Sequence, residues 1–137
     1  MTVPLHPILS LKAALRTRLL ADPDLAALIG GAVHDAPPRG LDPPYLALGD
    51  ARLTENGASL AEGAIIDCEL VGVTRERGSA GALELAAAVA AALADPLPVL
   101  SAHRLVALDL RQVETRHDPA SGLTRAILRF RAFTEPT

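Results

Sequence analysis

Residues able to do chemistry are few in this chain, and they are dispersed. The four histidines are His6, His34, His103 and His117. Two are followed by aspartate, as His34-Asp35 and His117-Asp118. In an extended strand neighbouring side chains face opposite ways, so neither pair converges on one ion. No two histidines have the helical spacing of a metal-binding pair, and no cysteine cluster joins them, so no metal site is expected. The single cysteine, Cys68, rules out an intramolecular disulfide. It lies mid-strand on an apolar phase, where a buried thiol is inert. The GxSxG, P-loop and GxGxxG patterns are absent. Gly78-Ser79-Ala80-Gly81 precedes a helical run and could offer amides to an anion, although a plain turn capped by Ser79 accounts for it. With no catalytic set and no cofactor motif, the chain reads as a non-enzyme.

What remains is charge on strands. Asp67 and Glu69 share one phase of an apolar run, and Arg125, Arg129 and Arg131 share one phase of another. The carboxylates resemble an acid–base pair, but a solvated or subunit-facing strand surface is the better reading. If the two runs are neighbouring strands, the charges pair within the sheet; if not, they pair between subunits. Ile65, Val71 and Ile127 on the same phases favour a face that is partly covered. Asp67, Glu69, Arg125, Arg129 and Arg131 are therefore candidate subunit-interface residues.

Composition bounds the scaffold that carries them. The 137 residues suffice for one core, and half are apolar. Aromatics are only Tyr45, Phe130 and Phe133, so the core must be Leu, Val, Ile and Ala. A net charge of −3 lacks the basic footprint of a nucleic-acid binder. Residues 1–10 lack the basic start of a signal peptide, and the longest apolar run, Leu85–Ala94, is too short to span a bilayer. A cytoplasmic site of synthesis and no membrane partner are expected.

The patterning predicts an amphipathic helix over 8–21, with Leu11, Leu15 and Leu19 on one stripe. A short helix follows, capped by Asp22 and ended by Gly30-Gly31. Short strands are expected at Ala32–Asp35 and Tyr45–Gly49, then a loop over 50–62 with its turn at Asn56-Gly57. A strong strand covers 63–74 and an Ala-rich helix 80–95, stopped at Asp95-Pro96. Two long strands close the chain, over 103–115 and 123–134. In the first, Val106, Leu108 and Leu110 share a phase; in the second, Ala126, Leu128, Phe130 and Ala132 do. The fold class is α+β: a mainly antiparallel sheet of four to five strands with two main helices on one face, in one domain over 1–137.

This order resembles the tail-terminator or tail-completion proteins of long-tailed phages and gene transfer agents, the DUF3168 family. The landmarks run from ALRTRLLADPDLAALIGGAVHDAPP through Pro44-Tyr45-Leu46-Ala47-Leu48-Gly49-Asp50 to Thr74-Arg75-Glu76-Arg77-Gly78. They close with His117-Asp118-Pro119, Gly122-Leu123-Thr124-Arg125 and ILRFRAF. The central strand lacks the Trp common in that family.

The resemblance implies a structural protein. It would form a homohexameric ring on the head-proximal end of the tail tube, bind the tube protein and the head connector or stopper, and pass DNA without specific binding. Made in the cytoplasm, it would end at the head–tail junction. A head-to-tail ring needs two different complementary patches on each subunit, and residues 36–44 and 50–62 are candidates for reaching a neighbour. Deleting 53–60 is then expected to abolish assembly and spare the fold. The alternatives are another head–tail joining or tail-tube component, and a small-ligand-binding α+β domain.

Overall fold

The computed structural model describes residues 5–55 and 63–137. In chain order the elements are α1 (Pro7–Leu20), α2 (Pro23–Ile29), β1 (Val33–His34), β2 (Tyr45–Glu55), β3 (Ala64–Thr74), α3 (Ala80–Ala94), β4 (His103–Asp118) and β5 (Leu123–Pro136).

Local signals start and stop the helices. Pro7 and Pro23 stand in the first turns of α1 and α2, where a missing N–H costs nothing. Asp22 accepts from the Leu25 amide at 3.0 Å, and Gly30 ends α2 in the left-handed conformation. The expected Ser79 cap does not form: its side chain bonds no amide, because the residue already has helical dihedrals. Instead the Glu76 carboxylate lies against Gly81 in the first turn of α3, where negative charge complements the helix dipole.

The five strands form one sheet in the order β1-β2-β3-β5-β4. β1 is parallel to β2, and the other three pairings are antiparallel. The connection through α3 carries the chain past the place that β5 later fills, so β5 is central and β4 is an edge. One core cluster joins the stripe of α1 (Leu11, Leu15, Leu19) and α3 (Leu85, Val89, Leu93) to the inner phases of β2, β3 and β5. Its sheet side is built from Leu46, Ile66, Leu70, Leu128 and Phe130, with Cys68 beside them. Close approach of α3 depends on Gly72 of β3, where a Cβ would fall 2.7 Å from Leu85 Cδ2. The Arg18 guanidinium donates to the carbonyls of Ala92, Pro96 and Leu97 and so ties α1 to the end of α3.

Three strands run differently from the sequence reading. β1 is shorter, ending at His34. β2 runs six residues further than expected, to Glu55: an irregularity between Leu48 and Ala51 absorbs Gly49-Asp50, and residues 51–55 then pair with Cys68 back to Ala64. Residues 50–55 are thus strand, and deleting 53–60 would cut that ladder. The expected Asn56-Gly57 turn lies outside the described residues. β4 has register shifts at Leu105/Ala107 and Leu110/Gln112. They break the simple alternation, so Leu105, Leu108, Leu110 and Val113 oppose the helix-side residues of β5, and Val106 falls at a shift and is exposed.

Candidate assembly surfaces

The helices cover one face of the sheet, and the other is open. On that open face the register places Asp67 opposite Arg131 and Glu69 opposite Arg129, across β3 and β5. Arg131 Nε donates to Asp67 Oδ1 at 2.8 Å. Arg129 reaches both ways: Nε donates to Glu69 Oε1 at 3.1 Å and Nη1 to Glu114 Oε1 at 2.9 Å. Four of the five candidate interface residues therefore pair within the sheet. Arg125 is further along β5, opposite Val73 and Arg116, and joins no ion pair among the described residues.

Glu114 was not singled out from the sequence. The shift at Leu110/Gln112 turns it onto the arginine face, and that shift leaves no mark in the hydrophobic pattern. The guanidiniums of Arg116 and Arg129 hold its carboxyl below the ordinary value of 4.5. The same contacts push Arg129 above its own ordinary value, and Asp67 does so for Arg131. These pairs are about one-third exposed (31% and 32% for Arg129 and Glu69), so water screens them and they orient more than they stabilise.

A carboxyl held low in the fold stabilises it fully above the unfolded value, and this stability is lost as pH falls through the folded value. The urea midpoint of the wild type is therefore expected to drop more between pH 7 and pH ~3 than that of Glu114→Gln. Equal drops would show that Glu114 gains nothing from its arginines.

A shallow groove of about 490 Å³ crosses this face, lined by Asp50, Arg52, Glu69, Arg111, Gln112 and Arg129. Asp50, Asp67 and Glu69 face Arg52, Arg111, Arg129 and Arg131 in it, and the one thiol at its floor, Cys68, is buried. Cys68 belongs to the opposite, helix-covered phase, and burial with the nearby Asp67 pushes its thiol up to about 11. The histidines serve locally. His6 accepts from the Ile8 amide, and His103 donates to the Leu5 carbonyl. His117 donates to the Thr124 hydroxyl, which donates to the Glu76 carbonyl. Among the described residues no three His, Cys, Asp or Glu are placed to hold a metal, and no helix is long and apolar enough to cross a membrane.

A second unusual surface is the outer edge of β4. Val106, Leu110 and Val113 are 49%, 41% and 41% exposed there. Sequence reasoning put Val106 and Leu110 on one phase with Leu108, because it could not show that this strand would be left at the edge.

A family model described as tail completion protein gp17 matches residues 13–135. Among solved structures, the chain is similar to one in "Virion of native gene transfer agent (GTA) particle". The two are 37% identical with a TM-score of 0.84, over 93% of this chain and 96% of the other. No curated protein matches it.

Proposed function

From the premise that this chain belongs to the tail completion protein gp17 family, we propose that it is the terminator ring of a phage-like tail. Its role in the virion is structural tail completion. In the finer reading, six copies of a single domain close the head-proximal end of the tube, stop its growth and present the surface that the head connector docks on. The observation that carries this is the likeness to a component of a gene transfer agent virion across nearly the whole of both chains.

The geometry supports a non-catalytic role for the open face. Arg129 and Arg131 are already paired with Asp67, Glu69 and Glu114, so these two cations are not free to hold phosphates. Such a wall lets DNA pass without arrest. Asp67, Glu69, Arg125, Arg129 and Arg131 remain candidates for the surface shared with neighbours. Of these five, Arg125 is the one that joins no ion pair among the described residues.

Electron microscopy of particles from a strain lacking the gene tests the role. Overlong or headless tails are expected. Tails of normal length joined to filled heads would overturn the terminator reading. Tube subunits missing along the whole tail would instead assign the chain to the tube.

A further inference from the structure

The sheet ends in two unlike edges. On one side, β4 offers its full outer edge, with apolar Val106, Leu110 and Val113 exposed and neither Pro nor Lys to protect it. Free backbone N–H and C=O groups along a strand edge are a template for pairing with another strand. On the other side, β1 pairs with β2 only at Leu46 and Ala47. From Leu48 to Glu55 the outer edge of β2 has no partner strand among the described residues.

We propose that the exposed part of β4 in one subunit, Val106–Val113, pairs with Leu48–Glu55 of β2 in the next copy, so that the sheet continues from subunit to subunit. The proposal deepens the ring reading and rests on it. A head-to-tail contact of this kind uses two different patches and repeats around a closed ring.

Strand direction agrees. β2 runs opposite to β3, β3 opposite to β5, and β5 opposite to β4. β2 and β4 are therefore antiparallel, and joining them between copies keeps the alternation unbroken.

Register agrees as well. Setting Leu110 against Ala51 puts Asp109 beside Arg52 and Arg111 beside Asp50. Both pairs are on the open face: Asp109 opposes Arg131 and Arg52 opposes Asp67, while Arg111 and Asp50 line the groove there. Leu110 and Val113 then meet Ala51 and Leu48 on the helix side. Val113 meets the first residue beyond β1, and Val106 meets the last of β2. A slip of two residues one way brings Arg111 onto Arg52, and the other way Asp109 onto Asp50, both repulsive. A slip of one turns every side chain to the wrong face.

The test uses two double variants, Leu110→Cys with Ala51→Cys and Asp109→Cys with Arg52→Cys, oxidised within assembled particles. Adjacent cross-strand pairs alternate between wide and close spacing, so one of the two is in the close geometry. Cys68 can remain, since burial keeps its thiol protonated. A ladder of covalent multimers from at least one double variant is expected on a non-reducing gel, with none from the four single variants. Absence of the ladder in particles that carry either double variant at normal amounts would overturn the edge pairing. So would dimers from Leu110→Cys alone, which would pair β4 with β4.

Hydrogen exchange of the wild-type protein gives an independent reading. Amides of 48–55 and 106–113 are expected to exchange at least about tenfold slower in tails than in the free subunit, and unchanged exchange counts against the proposal. Images of the tail end separate the two levels. A ring without these contacts sinks only the edge pairing, whereas no ring sinks both.

Discussion

Leu128→Ala is expected to remove about 2–5 kcal/mol of folding stability, measured on the free subunit by urea unfolding. Leu128 is fully buried on β5, the strand that lies between β3 and β4. Its cross-strand neighbours are Leu70 and Val113, and it shares a core cluster with Leu85 and Val89 of α3. Truncation removes the transfer energy of the lost carbons and leaves a cavity that a regular sheet under a helix closes poorly. Against a typical total of about 5–15 kcal/mol this is a large fraction, and the melting temperature should fall by about 10 °C or more. The slope against urea should stay the same, because the surface exposed on unfolding hardly changes. A loss under about 1 kcal/mol would mean that the site collapses freely and that α3 does not seal the centre of the sheet as described. The free subunit is the right sample, since assembly would add binding energy to the folded state.

Leu110→Lys combined with Val113→Lys is expected to cut incorporation into tails to about a hundredth or less, while the free subunit unfolds within about 0.5 kcal/mol of the wild type. Both side chains are well exposed in the isolated subunit, so water can solvate the new ammonium groups. In the proposed junction the same positions lie against Ala51 and Leu48 of the next copy. Burying two unpaired charges there costs several kcal/mol, and each factor of ten in affinity is about 1.4 kcal/mol. Lysine is also the residue that natural edges use to refuse a strand. Particles should then resemble those of the strain lacking the gene. Normal incorporation with normal tail length would remove β4 as an assembly edge. Comparison with Arg104→Ala, on the same strand but outside the Val106–Val113 segment, controls for general disturbance of β4.

Much of the architecture could be read from the chain because its signals are local. Prolines at the helix starts, Asp22 as a cap and Gly30 as a stop act within one turn. The leucine stripe of α1 and the alternation of β3 and β5 follow from the geometry of single elements. These features were enough for the α+β class, the order of elements and the helix-covered phase of β3 and β5. They also separated the charged phase of Asp67, Glu69, Arg129 and Arg131 from the apolar one.

Which strand those charges would meet is a different kind of question. The sequence left two choices open, pairing within the sheet or between subunits, because strand order depends on contacts far apart in the chain. Only the tertiary structure placed β5 between β3 and β4, which closed the Asp67–Arg131 and Glu69–Arg129 pairs internally and left Arg125 outside them. Register shifts were hidden for a related reason. The bulges at Leu48/Ala51 and Leu110/Gln112 are settled by the partner strand, so the polar stretch 50–55 read as loop and Glu114 escaped notice. The exposed edge of β4 is the clearest case: Leu110 has the same local pattern as a core residue, and it is left uncovered because β4 pairs with β5 on one side and with no other strand among the described residues. By itself, then, the sequence determined the elements and their faces, through interactions within a few residues. The tertiary structure alone decided neighbours, register and edges, because these depend on backbone hydrogen bonds between segments that the chain brings together only on folding.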